Sequence, residues 1–255
     1  MTPHEWEPGQ LVRPYGDRRD DGVVQLSFVL PVPAGERARE AAAEVARRMG
    51  LANVQVAAME AAAEGYSFFV VYGRTAVAVD YAALDVPEVV TRKKGFDELN
   101  QLVTRELGRR IVVLGACTGS DAHAVGIDAI MNMKGFAGDH GLERYPAFDA
   151  QNLGAQVENA TLARLAGERQ ADAVLVSQVV TQRDIHKENA RELIAELERR
   201  GLRARVVAIL GGPRVDHRTA LDLGYDAGFG PGTRPSDVAN YIAEEVLRRA
   251  GKTVH

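Results

Sequence analysis

The chain has 255 residues, which allows one or two compact domains. Its 31 Lys and Arg against 35 Asp and Glu leave a net charge of −4 and a pI near 5.9, so no basic field exists for gripping nucleic acid or an anionic membrane. A single cysteine, Cys117, excludes a disulfide framework and a multi-cysteine zinc site and fits a reducing cytosol. The longest apolar runs, such as residues 67–72, fall far short of the roughly 20 residues of a membrane span. Residues 1–10 are polar and show neither part of a secretion signal. The expectation is a cytoplasmic protein with no nucleic-acid or membrane partner.

Residues 1–22 mix Pro, Gly, Asp and Arg with little apolar periodicity and read as a loose arm unless a partner orders them. Val23–Leu30 reads as a strand. Residues 35–49 read as an Ala/Glu/Arg-rich helix closed by Gly50, and residues 54–59, 67–72 and 76–81 as further strands, together a small α+β unit. Phe96, Leu99, Val103 and Leu107 mark one face of a helix that leads into a different rhythm. The expected division is an arm over 1–22, an α+β domain with its linker helix over 23–108, and a second domain over 109–255.

From Ile111 short apolar runs alternate with longer amphipathic segments. Strands are expected at 111–116, within 145–153, and at 173–176, 206–210 and 226–229. Helices are expected at 156–169, 185–200, 217–223 and 236–249. The alternation implies right-handed βαβ crossovers and a parallel sheet, hence a flavodoxin-like (Rossmann-like) doubly wound α/β domain. Such a sheet binds ligands beyond the carboxyl ends of its strands, so the residues that follow each strand are read first.

After the first of these strands comes the stretch from Gly115 to Gly126, in which glycines permit close approach to a bulky ligand. His123 offers an imidazole ligand for a metal, and Asp121 an acceptor to orient it. Taken alone, an Asp-x-His is more simply a helix cap beside a polar loop residue. After the third strand come Ser177, Gln178, Val179, Val180 and Thr181, and after the fourth Gly211 and Gly212. The fifth is followed by Phe229, Gly230, Pro231, Gly232 and Thr233. In isolation Ser177 reads better as a cap of the next helix and Gly211-Gly212 as an ordinary turn; the coincidence of small or ligating residues at four strand ends along one sheet edge points to a ligand site.

Asp121-x-His123-x-x-Gly126, Ser177-x-Val179 and Gly211-Gly212 together resemble the signature of cobalamin-binding domains that hold the cofactor base-off with a histidine on cobalt. The loop from Phe229 to Thr233 resembles the last loop of the mutase members. The resemblance makes His123 the lower axial cobalt ligand and Asp121 its hydrogen-bond partner. It places Ser177 on the displaced dimethylbenzimidazole and Gly211 with Gly212 along the nucleotide tail. Cofactor contacts are also expected from Ser120, Val125, Gly126, Val179, Thr181 and the loop Phe229, Gly230, Pro231, Gly232 and Thr233. Two departures are Val179, where the signature has Leu, and an unusually long spacing between Gly126 and Ser177.

The extra length falls around Ile127 to Leu153; the stretch from Gly126 through Lys134 to Tyr145 is similar to the small subunits of the lysine 5,6-aminomutase family, and the similarity extends over essentially the whole chain. It implies an isomerase that uses adenosylcobalamin and pyridoxal phosphate, with Lys134 forming the imine to pyridoxal phosphate. It further implies radical amino migration on D-lysine or L-β-lysine and a large TIM-barrel subunit as partner. The α+β unit would then serve dimerisation in an α2β2 assembly. From the residues themselves, Lys134 beside Met131, Met133 and Phe136 is either a desolvated amine nucleophile or a solvated helix-end lysine. A continuous helix over 124–134 would carry it about 16 Å from His123, to the wrong end. Gly135, Gly138 and Gly141 offer the alternative of a segment that bends back. The runner-up function is a corrinoid carrier for methyl transfer, which has no use for Lys134. Among the other polar residues, Arg92, Lys93 and Lys94 read as a solvated run and Cys117 as a small packed residue.

Overall fold

The computed structural model describes residues 7–16, 18, 20–179 and 184–252. The chain divides into two compact units, Met1–Asp85 and Val86–His255.

In the first unit β2 (Val23–Leu30), β3 (Ala52–Ala63) and β4 (Tyr66–Arg74) form an antiparallel sheet with β4 in the middle. Helix α1 (Glu36–Arg48) buries Ala38, Ala42, Ala43 and Ala46, a strip without bulk that lets its backbone lie close over Phe69 and Val71 of β4. Strict alternation along β4 buries Ser67, Phe69, Val71 and Gly73 on that face. The opposite face carries Val29, Tyr66 and Tyr72, which are 49%, 49% and 39% exposed. The segment read as a loose arm is tied in part by its own chain: β1 (Leu11–Val12) pairs with β5 (Val79–Asp80), and Gly22 donates to the Pro14 carbonyl. Of the strand expected over 76–81, only β5 forms.

In the second unit β6 (Ile111–Cys117), β7 (Phe148–Asn152), β8 (Ala173–Ser177), β9 (Val207–Gly211) and β10 (Ala227–Phe229) make one parallel sheet in the order β10-β9-β8-β6-β7. This is the flavodoxin-like order, with the chain reversing direction across the sheet at β6. The helices α2 (Phe96–Leu107), α3 (Val125–Met131) and α7 (Pro235–Arg249) share one hydrophobic core with Ile111, Val113, Leu175 and Ile209. On the other face α4 (Asn159–Glu168), α5 (Ile185–Arg199) and α6 (His217–Asp222) pack on Leu114, Val174, Val176 and Leu210. Burial on both faces explains why β6 and β8 read as unbroken apolar runs.

The helix grouped with the N-terminal domain from the sequence belongs to this second unit. Leu99, Leu102 and Val103 of α2 are buried, Phe96 packs on Tyr145 with ring centroids 4.5 Å apart, and Asn100 accepts from the Ala147 amide at 2.9 Å. Nor is the Arg92 to Lys94 run simply solvated. The Arg92 amide donates to Glu244, the Lys94 amide to Asn240, and Lys93 pairs with Asp237 at 2.7 Å, so the segment is pinned along α7. Among the described residues no helix is long and apolar enough to cross a membrane.

Candidate functional site

At the carboxyl end of β6 the chain leaves the sheet through Thr118 and Gly119. Gly119 is left-handed at φ 69°, a conformation that costs glycine nothing. The loop delivers Asp121 to a position only 2% exposed. One carboxylate oxygen of Asp121 accepts from the His123 backbone amide and lies 2.9 Å from His123 Nδ1; the other accepts from the Val179 amide at the end of β8. Asp121 is therefore not a helix cap, since α3 starts at Val125 with no side-chain cap. With its Nδ1–H held by the carboxylate, His123 presents the lone pair of Nε2. The side chain is 60% exposed, and Nε2 has no hydrogen bond among the described residues.

Behind this histidine α3 begins close against β8. A methyl group on Gly126 would stand 2.9 Å from Ser177 Oγ, so only glycine admits the Ser177 hydroxyl there. Ser177 is not a cap either, because α5 begins eight residues later. At the end of β9 a Cβ on Gly212, whose φ is 155°, would fall 2.1 Å from the Gln178 carbonyl, and one on Gly230 would fall 2.7 Å from the Val215 carbonyl. Thr233 Oγ1 donates to the Gly230 carbonyl at 2.8 Å and closes the last loop. Glycines after β9 and β10 thus let adjacent loops pack backbone on backbone.

Between α3 and the sheet these loops border an open cleft of about 280 Å³. Nine of the residues expected to contact a cofactor, Gly126, Ser177, Val179, Gly211, Gly212, Phe229, Gly230, Pro231 and Thr233, line it. Ile127 and Ile130 from α3, Leu175 and Ile209 from the sheet, Val238 from α7 and Phe136 also belong to the wall. These six were missed because apolar residues at helical or strand spacing look alike whether they face a core or a ligand. Ser120 lies instead in a polar recess on the α5 side, beside Thr118, Gln178 and Asn189. Val125 is 82% exposed at the start of α3, and Gly232 forms the left-handed corner of its loop at φ 89°. Thr181 lies outside the described residues.

The segment after α3 bends back. The helix stops at Met131, after which the Lys134 amide donates to Asn132 Oδ1 at 3.0 Å. Gly135 and Gly138 take left-handed φ of 68° and 89°, while Phe136 and Asp139 exchange backbone hydrogen bonds of 3.1 and 3.0 Å. A Cβ on Gly135 would lie 1.8 Å from the Asp139 carbonyl, so this hairpin requires glycine. Its return arm reaches the carboxyl edge, where Ser236 at the start of α7 donates to Asp139 and Phe136 enters the cleft wall. Lys134 is exposed at the base of the hairpin. Cys117, at the end of β6, is buried. Burial, and secondarily the nearby Asp121 charge, push its thiol up to about 11, which suits a packed residue rather than a nucleophile.

A buried carboxylate aiming a solvent-facing imidazole beside a glycine-bordered apolar cleft, at the switch point of a flavodoxin-like sheet, fits a corrinoid. The imidazole suits the cobalt, and the cleft has the size and apolarity of a small aromatic group. Residues 111–239 match the model of the B12 binding domain, so the second unit belongs to that class of cobalamin-binding proteins. Residues 11–88 match the dimerisation domain of d-ornithine 4,5-aminomutase. The chain is 50% identical over 93% of its length, and 90% of the relative's, to the lysine 5,6-aminomutase beta subunit of Fusobacterium nucleatum subsp. nucleatum. It is likewise 50% identical over 94% of its length, and 92% of the relative's, to that of Acetoanaerobium sticklandii. With the D-ornithine 4,5-aminomutase subunit beta of A. sticklandii it shares 28% identity over 94% of this chain but 31% of that one. The chain belongs to the lysine 5,6-aminomutase beta-subunit family.

Proposed function

We propose that the chain is the small subunit of an adenosylcobalamin- and pyridoxal-phosphate-dependent aminomutase acting on D-lysine or L-β-lysine, active only with a large TIM-barrel subunit. The observation that carries this reading is the Asp121–His123 pair, with Nε2 facing solvent beside the cleft. His123 Nε2 would be the protein's ligand to the cobalt. Asp121 holds the imidazole in one tautomer and keeps it electron-rich while binding the β8 loop through Val179. The cleft would hold the cofactor's benzimidazole, where Ser177 could offer a hydroxyl to a ring nitrogen and Gly211, Gly212 and Gly230 would leave the nucleotide tail room along the backbone. Val125 and the Phe229 to Thr233 loop frame the remaining rim, and Ser120 and Thr181 are further proposed cofactor contacts.

Lys134 is the attachment point for pyridoxal phosphate. Its exposure on a hairpin that returns toward the carboxyl edge leaves the amine accessible to a cofactor shared with a partner subunit. When bound, the two cofactors supply radical hydrogen abstraction and an unsaturated acceptor for the migrating amine; the protein places them. The α+β unit provides self-association in an α2β2 assembly, in keeping with its match to a dimerisation domain. The acidic balance and lone buried thiol suit the cytoplasm.

The test is the electron paramagnetic resonance spectrum of cob(II)alamin bound to the full chain. Nitrogen splitting that responds to 15N-histidine labelling and vanishes in His123→Ala is expected. Cobalamin bound with its own base on cobalt, unaffected by that substitution, would overturn the reading.

A further inference from the structure

The His123 loop is held from a second side by groups that take no part in the ligand pair. Thr118 is fully buried where β6 ends, and its Oγ1 accepts hydrogen bonds from Gln178 Nε2 and Asn189 Nδ2, each at 2.8 Å. Gln178 Nε2 also reaches the Thr118 carbonyl at 3.3 Å. Asn189 stands on α5 and is itself fixed by Asn159 of α4, whose Nδ2 donates to Asn189 Oδ1 at 2.8 Å and to Glu192 Oε2 at 2.9 Å. Gln178 and Asn159 are 3% and 4% exposed, so these bonds are shielded from water. Gly119 fits the same arrangement: a Cβ there would lie 2.6 Å from Asn189 Oδ1, so glycine is what lets the Asn189 amide reach the loop.

The cluster connects directly to the ligand pair. Gln178 donates its backbone N–H to the Gly211 carbonyl and immediately precedes Val179, whose N–H holds Asp121. A path of hydrogen bonds, bridged by the Gln178–Val179 peptide link, therefore runs from α4 and α5 through Thr118 and Gln178 to Asp121 and His123.

We propose that Thr118, Gln178 and Asn189 are positioning residues for the axial histidine. They clamp the β6 loop to the β8 end and to α5, so that His123 is presented to cobalt in one place before the cofactor arrives. The inference rests on the cobalamin reading and adds to it a part of the chain that the ligand motif does not contain. A hydroxyl accepts two hydrogen bonds here, so Thr118→Val keeps the shape and removes both, while Thr118→Ser keeps both. Asn189→Ala, at a half-buried helix position, removes one bond and is the milder change.

Two measurements test this on the full chain. Hydrogen exchange without cofactor reads the loop itself: residues 118–123 are expected to exchange faster in Thr118→Val and Asn189→Ala, with the rest of β6 and β8 unchanged and Thr118→Ser like the parent. The cob(II)alamin spectrum reads the consequence. The population with histidine nitrogen on cobalt is expected to fall about tenfold in Thr118→Val, the low end of what outer-shell partners of a metal ligand contribute. Thr118→Ser should restore it. If the parent chain shows histidine splitting and Thr118→Val and Asn189→Ala retain both the full splitting and the slow loop exchange, the clamp has no positioning role. If the parent shows no histidine splitting, the cobalamin reading itself fails and the positioning role falls with it.

Discussion

The two units use their sheets in opposite ways. In the second, helices cover both faces, so the sheet offers only its strand ends, and the residues with ligand chemistry gather there: Asp121, His123, Ser177 and the glycines of the β9 and β10 loops. In the first, one helix covers one face, and the other keeps Val29, Tyr66 and Tyr72 in the open, with no comparable gathering of ligating side chains among the described residues. A sheet buried on both sides becomes a rigid frame whose loops hold a site, whereas a sheet half-covered has a whole face left over.

The comparison breaks most sharply at Asp121. Asp121→Ala leaves the Val179 amide and the His123 ring without their common acceptor, and cobalamin affinity should fall about 10- to 100-fold in a binding titration. Sedimentation of the full chain should be unaltered, since self-association is assigned to the other unit. Gly126→Val comes next. Its Cβ alone would meet Ser177 Oγ at 2.9 Å, and the change should cost about 1–3 kcal/mol in denaturant unfolding of the second unit while closing one end of the cleft. In the first unit Ala42→Leu forces bulk under a helix packed on Phe69 and Val71, with a cost again of about 1–3 kcal/mol, but cobalamin binding should be unchanged.

The smallest effect is one of pH. Burial holds His186 and His217 below the ordinary histidine value of 6.5, and His217 Nδ1 accepts the Gly228 amide, which requires the unprotonated ring. The unfolded chain takes up these protons first, so stability should decline as pH falls through about 6.5 and level off below the folded values. Asp216 acts in a different window. Hydrogen bonds from Thr219 lower its pKa, and the stability this gives is lost only as pH falls below the usual carboxylate range. Thermal unfolding in His217→Gln should remove part of the first decline and leave the second.

Much of this was legible in the sequence, for physical reasons that also mark its limits. β6, β8 and β9 are buried on both faces and read as apolar runs, whereas β7, at the sheet edge, carries Asp149 and Gln151 in sequence and was recognised only as a piece of a longer span. The motif residues at the strand ends stand out because glycine, histidine and aspartate together have few structural uses. The cleft walls do not, since Ile127, Ile130 and Val238 carry the same pattern as any core position. The clamp was invisible for another reason: Thr118, Gln178 and Asn189 meet only through tertiary structure, across 71 residues of chain at the widest. Helix α2 showed its apolar face but not its partner, which the packing of Phe96 on Tyr145 supplies.

The central claim is that one small chain carries both cofactors. It is tested most directly by incubating the full chain with pyridoxal phosphate, reducing with borohydride and mapping the modified peptide by mass, with Lys134→Ala as control. The account predicts a reduced adduct on Lys134 that is lost in the variant. The absence of an adduct there, with the large subunit and cobalamin also present, would contradict it and leave a corrinoid carrier as the better description.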